Sequence, residues 1–212
     1  YQGQAVNREY GKMGKSLKNM VTPEDVVASH GVDILRLYEM YLGPLEASKP
    51  WSTRDMVGIR RFLGRVWRAM VDRETGALRV TDAPADDELL RLLHRTIAKV
   101  SADMPALQFN TAIAALIELT NALTGLPELP RTVAEPLVLM LAPMAPHLGE
   151  ELWERLGHAD SLTTAPWPAA DPRYLAADTV EIAVQVLGKV RARIQVPAGT
   201  DRAELERLAL AE

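Results

Sequence analysis

Apolar residues recur at three- and four-residue intervals along most of the chain, the repeat of one face of a helix. Thr22-Pro23-Glu24-Asp25 supplies a capping hydroxyl, a proline suited to the first helical position and two acids for the positive helix end. A helix is therefore predicted from there to Gly31. A second follows, with Ile34, Leu35, Tyr38 and Leu42 on one face, and Gly43-Pro44 ends it. After a loop over 44–51, Ser52-Thr53-Arg54-Asp55 predicts a capping-box start to a long helix carrying Ile59, Phe62, Leu63, Val66 and Met70. A polar connection from Gly76 to Asp87 precedes a helix over about 86–102, and others are expected at about 110–123, 132–142 and 146–156, with Pro143 between the last two. Five to seven helices with short links form a bundle pattern.

The period changes near the C-terminus. Glu181–Val186 and Arg191–Val196 each alternate with period 2, and Gly188-Lys189 suits a two-residue turn, so a β-hairpin is predicted. A turn at Pro197–Thr200 and a helix from Asp201 follow. The proline-rich stretch from Ala165 to Pro172 reads as a linker. The fold class is mainly α: a helical bundle with a short C-terminal α+β segment containing the hairpin.

Composition narrows the chemistry. Hydrophobic residues are 48% of the 212 and charged residues 25%, enough for a packed core. The absence of cysteine excludes disulfides, thiolate zinc sites and a thiol nucleophile. The longest apolar candidate, Pro136 to Pro146, is too short to span a bilayer and is broken by Pro143, and no signal peptide is visible. A soluble cytoplasmic protein is expected. The chain opens at Tyr1 without an initiator methionine and ends at Glu212 inside a predicted helix, so both ends are expected to be cut. His30, His94, His147 and His158 have no zinc-binding spacing and read as capping or surface residues, so no metal site is expected. The paired acids Asp86/Asp87 and Glu150/Glu151 are sequence neighbours that splay apart on a helix. No P-loop, dinucleotide fingerprint or nucleophile elbow is present. Trp51, Trp67, Trp153 and Trp167 lie among apolar residues and are expected to pack in the core.

The formal net charge of −4 conceals three basic features. Residues 1–21 form no apolar face and carry a local charge of +3 from Arg8, Lys12, Lys15 and Lys18 against Glu9. Within them Lys12-Met13-Gly14-Lys15-Ser16 offers two mobile ammonium groups and a hydroxyl on a glycine-containing loop, able to close over a phosphate chain. A solvated basic tail is the other reading. On the helix after Ser52, Arg54, Arg61, Arg65 and Arg68 share a face with Arg60 beside them, suited to RNA phosphates or to a solvated face with snorkelling stems. In the hairpin, strict alternation puts Lys189, Arg191 and Arg193 on one face and Val190, Ala192, Ile194 and Val196 on the other. Three mutually repelling cations favour an anionic partner.

The pentapeptide at 12–16 is similar to the K-M-S-K-S signature of class I aminoacyl-tRNA synthetases. Leu17-Lys18-Asn19-Met20-Val21, Pro23-Glu24-Asp25 and Gly31-Val32-Asp33-Ile34-Leu35-Arg36 follow in the order of the segment joining that family's catalytic domain to its helical anticodon-binding bundle. Gly43-Pro44-Leu45-Glu46, Trp51, Arg61-Phe62-Leu63 with Arg65-Val66-Trp67, and Phe109-Asn110-Thr111-Ala112-Ile113-Ala114 resemble the leucyl branch. So do Ala142-Pro143 with Ala145-Pro146-His147, Ala165-Pro166-Trp167 and Gly188-Lys189-Val190-Arg191. The resemblance covers essentially the whole chain in order. It departs at Gly14, where serine is usual, and at Leu187, where asparagine often precedes Gly-Lys-Val-Arg.

The resemblance implies an enzyme that activates leucine with ATP and passes it to tRNA(Leu), acting as a cytoplasmic monomer with no membrane partner. ATP is the nucleotide substrate, accompanied by Mg2+ in the full enzyme, with no metal bound by this stretch. Lys15 and Lys12 are the implied catalytic residues, and Lys12, Met13, Gly14, Lys15 and Ser16 the implied ATP-binding set. Arg54, Arg61, Arg65, Arg68, Lys189, Arg191 and Arg193 are the implied tRNA contacts. The implied division is 1–21 as the catalytic loop, 22–50 as connecting helices, 51–163 as the anticodon-binding-type bundle, 164–179 as a linker and 180–212 as part of a C-terminal domain. The family's H-I-G-H signature, nucleotide-binding sheet and leucine pocket are not among these residues, so this stretch alone is expected to be inactive. Two alternatives stand beside this reading: a non-catalytic tRNA-binding module, and the same region of an isoleucyl, valyl or methionyl enzyme.

Overall fold

A computed structural model describes residues 14, 16, 19–47, 49–175, 179–186, 189–197 and 200–210. Helix α1 (Pro23–His30) starts as its sequence predicts, because Thr22 Oγ1 accepts the Asp25 N–H at 3.2 Å. It stops at Gly31, whose φ of +92° suits a residue without Cβ. Helix α2 (Val32–Tyr41) follows at once and buries Ile34, Leu35, Leu37 and Tyr38 against α3 (Met56–Met70) and α5 (Phe109–Ala122). The capping box expected at Ser52 does not form. Thr53–Asp55 make one 3-10 turn, and the Ser52 side chain caps nothing. The Ser52 N–H donates instead to Tyr38 Oη at 2.8 Å, and Trp51 sets its edge on the Tyr38 ring at 5.1 Å. Docking onto α2 therefore fixes where the chain enters α3. Burial raises the Tyr38 hydroxyl above the usual tyrosine pKa.

Helix α3 buries Ile59, Phe62, Val66 and Met70 of the stripe its sequence predicts, together with Met56, whereas the predicted Leu63 is only half-buried. Helix α4 (Asp87–Asp103) starts on Asp86, whose Oδ1 accepts the Leu89 N–H at 2.7 Å, and packs along α5. On either side of α4 and α5 the chain makes a short parallel pairing of β1 (Val80–Thr81) with β2 (Leu129–Pro130), too brief to show a period in the sequence. Arg79 ties this region together by donating to the carbonyls of Arg68, Leu126 and Pro127. Among the tryptophans Trp153 lies in the core, Trp51 and Trp67 are half-buried, and Trp167 is 42% exposed. The core expectation thus fails for Trp167, whose indole N–H donates to Ser101 Oγ at 2.7 Å.

Helices α6 (Arg131–Leu141) and α7 (Pro146–Arg155) meet at a corner opened by Pro143. Neither helix carries its own side-chain cap there: Ala145 stands at the N-cap of α7 and Ala142 at the C-cap of α6. One turn of α2 reaches across to the corner. Asp33, 9% exposed, accepts the Leu148 N–H at 2.8 Å and the His147 N–H at 3.4 Å, with His147 Nδ1 2.9 Å from its Oδ1. Arg36, one turn later on α2, donates to the carbonyls of Pro143 at 2.8 Å and Met144 at 3.3 Å. The acid meets the positive end of α7, the favourable sign for a helix dipole, and the base ties down the corner carbonyls between the two helices. Close packing seals the corner: a Cβ on Gly149 would stand 3.0 Å from Ala142 Cβ and 3.1 Å from Ala142 Cα.

The chain divides into two compact units at Ala169/Ala170. In the second, residues predicted as linker include a short helix α8 (Pro172–Leu175). Strands β3 (Thr179–Val186) and β4 (Lys189–Pro197) pair antiparallel, and α9 (Arg202–Leu210) packs on β4. Lys189 belongs to β4 rather than to the turn. The mainly helical class with a C-terminal hairpin is borne out.

Two stability measurements check the corner. Gly149→Ala forces a methyl into Ala142 and is expected to cost about 1–3 kcal/mol; thermal unfolding reads it as a lower midpoint. Asp33→Ala leaves two α7 amides unpaired in a half-buried site and is expected to cost about 1–3 kcal/mol. Urea unfolding reads that as a lower midpoint with an unchanged slope.

Candidate nucleic-acid interface

The corner clamp sets Ile34 and Leu148 beside α3. With Val57, Leu63, Gly64 and Trp67 they line an open groove of about 520 Å³, and Arg60, Arg61 and Arg68 stand around it. The Trp67 ring is covered on one face by the Arg155 guanidinium, 4.9 Å from the ring centroid, and Arg155 is held by Glu151 at 2.6 Å. Among the described residues no ion pair engages Arg54, Arg60, Arg61, Arg65 or Arg68. Clustered cations without acids repel one another, and an anion relieves that repulsion.

The four arginines expected on one face do not share one environment. Arg61 and Arg68 are exposed at the groove. Arg54 is exposed on the 3-10 turn before α3, outside the groove lining. Arg65 is half-buried, and its Nε is a buried side-chain nitrogen with no hydrogen-bond partner among the described residues. Arg60, noted in the sequence only as a neighbour, joins the lining. A glycine inside an amphipathic helix with arginine four residues to either side was the signal for this concavity.

The hairpin departs from strict alternation. Val184 pairs with Ala192 and Gln185 with Val190, so Arg191 is an extra residue in a bulge. Ile194 and Val196 are buried, yet Val190 is 50% exposed, where unbroken alternation would cover it. Arg191 and Arg193 are exposed. Lys189 pairs with Val186, which puts its register position out of phase with Arg193. The single-face stripe of Lys189, Arg191 and Arg193 is therefore corrected to an exposed Arg191 and Arg193, with Lys189 displaced by the bulge.

Of the K-M-G-K-S pentapeptide, Lys12, Met13 and Lys15 lie outside the described residues. The Gly14 N–H donates to Asn19 Oδ1 at 2.9 Å, and Ser16 is exposed. Among the described residues a Cβ on Gly14 would meet only Ser16 Oγ, at 3.9 Å, an ordinary contact. Among the described residues no group of histidine, aspartate and glutamate is placed to hold a metal ion, and no helix is long and apolar enough to cross a membrane.

The chain is 62% identical to the leucine–tRNA ligase of Salinispora tropica over 205 residues, covering 97% of this chain and 22% of that protein. It is 60% identical to that of Nocardia farcinica over 209 residues, 98% of this chain and 22% of the relative. The chain thus spans about a fifth of the length of these curated relatives. Among solved structures it matches the ternary complex of Agrobacterium radiobacter K84 agnB2 LeuRS, tRNA and LeuAMS. The TM-score is 0.77 and the identity 31%, covering 95% of this chain and 27% of that one. Residues 2–49 match the family of class I tRNA synthetases for I, L, M and V. Residues 86–207, more than half of the chain, match the anticodon-binding domain of tRNA ligase, and the chain belongs to that family.

Proposed function

We propose that this chain is the part of a leucine–tRNA ligase that runs from the ATP-facing loop through the anticodon-binding-type bundle into the start of a C-terminal domain. The observation that carries the reading is the 62% identity to a leucine–tRNA ligase over 97% of the chain. Similarity at that level favours the leucyl enzyme over the isoleucyl, valyl and methionyl ones. The basic loop matched to the class I synthetases favours an enzyme region over a stand-alone RNA-binding module.

In the whole enzyme the leucine carboxylate attacks the α-phosphorus of ATP, forming leucyl-adenylate and releasing pyrophosphate, and the leucyl group then moves to the 3′ end of tRNA(Leu). ATP enters with Mg2+ as its counter-ion. The contribution of this chain to the first step is electrostatic. Lys15 faces the phosphates as charge develops, Lys12 supports it, and Met13, Gly14 and Ser16 shape the loop around the nucleotide. For the second step the bundle lies along the tRNA, with Arg54, Arg61, Arg65 and Arg68 toward its phosphates, and Arg191 and Arg193 belong to the C-terminal tRNA-facing surface. Such surfaces follow RNA shape and backbone rather than base sequence. The enzyme is a cytoplasmic monomer with no membrane partner. Its divisions fall at 1–21, 22–50, 51–163, 164–179 and 180–212.

Two experiments test this. In the intact enzyme Lys15→Ala is expected to raise the activation barrier by about 2–4 kcal/mol, the scale of losing one transition-state donor. Leucine-dependent pyrophosphate exchange measures it, and a near-normal rate refutes the role. Binding of the 212-residue chain to leucine tRNA is expected to weaken steeply with salt, and charge reversal at Arg191 and Arg193 to flatten that slope by about 0.7–0.9 for each phosphate no longer neutralised. Salt-insensitive binding contradicts the RNA reading.

A further inference from the structure

Gly64 sits in the middle of α3, where glycine is the worst helix former after proline. Nothing in the fold demands it. Its backbone does not lie in the left-handed region. A Cβ there would meet no core atom, only the Arg68 guanidinium, with Nη1 at 3.1 Å and Cζ at 3.9 Å. What the glycine provides is a bare stretch of helix on which that guanidinium rests. Arg60 and Arg68 stand one helical turn to either side, about 12 Å apart along the axis, with Arg61 beside them, and all three line the groove. No ion pair among the described residues engages any of them. The aromatic ring in the groove, Trp67, already carries Arg155 on one face, which closes that face to a nucleobase.

We infer that the groove over Gly64 is a seat for RNA phosphodiester backbone, in which Arg60 is a phosphate ligand, Gly64 positions Arg68, and no base is read. The inference rests on the proposed RNA-binding function and deepens it. Three guanidiniums without an acid partner among the described residues, set around an apolar floor, complement a polyanion, and guanidinium forks suit phosphate oxygens. A methyl on Gly64 would push Arg68 aside while improving the helix, so stability and binding should move in opposite directions. A purely structural glycine would not produce that split.

The test measures binding of the 212-residue chain to leucine tRNA and to an RNA hairpin of unrelated sequence, across a salt series, alongside thermal unfolding. Arg60→Gln is expected to weaken both RNAs about equally, by roughly tenfold at 0.1 M salt, and to lower the salt slope by about 0.7–0.9. Gly64→Ala is expected to raise the unfolding midpoint by about 2–4 °C while weakening both RNAs. If the wild-type chain binds RNA and both variants bind as well as it does, this inference is wrong and the RNA reading stands. An effect of Arg60→Gln confined to leucine tRNA overturns the backbone assignment. A fall in both midpoint and affinity for Gly64→Ala overturns the positioning role. If the wild-type chain binds neither RNA, the functional reading and this inference fall together.

Discussion

The first unit depends on a helical corner that cannot cap itself. Alanine at 145 leaves the first amides of α7 without a side-chain cap of their own, and Pro143 and Met144 carry the carbonyls of the corner between the helices. Asp33 on α2 meets those amides with the sign that the helix end favours, and Arg36, one turn later, donates to those corner carbonyls. Hydrogen bonds to charged groups contribute roughly 1.5–3 kcal/mol each when well made. A nearly buried aspartate is therefore retained because three nitrogen donors surround it. The clamp also orders the topology, because it joins the second helix of the bundle to its last two.

The same clamp builds the groove wall. Leu148, whose amide Asp33 holds, and Ile34, the residue after Asp33, face α3 together. Moving the corner would open or close the groove without altering any arginine. The groove itself is electrostatically incomplete: among the described residues no acid pairs with its Arg60, Arg61 or Arg68. An anionic ligand there offsets that imbalance.

Much of the fold was legible because local rules carried it. Thr22 and Asp86 cap the helices their positions predict, Gly31 stops α1, and four of the five stripe residues of α3 are buried, Leu63 being the exception. What escaped was decided at long range or by irregularity. The partner of His147 is Asp33, 114 residues earlier, and no local pattern connects them. Ser52 looked like a cap, yet Tyr38 on α2 takes its backbone amide, so tertiary docking overrode the local motif. One extra residue at Arg191 broke an alternation that looked regular, because a bulge leaves the composition of a strand unchanged. At the site, charge periodicity identified Arg61 and Arg68 but grouped them with Arg54 and Arg65, which the groove excludes. Arg60 and Gly64 became meaningful only once α2 and α7 were in place beside α3.

If the α2 clamp and the arginines of α3 form one RNA-facing surface, as proposed, hydrogen exchange of the 212-residue chain with and without leucine tRNA shows it. Bound tRNA is then expected to slow exchange over α3 and over the first amides of α7 together, because both border the same groove. Protection confined to the α4–α5 side, with α3 and the corner unchanged, would contradict it.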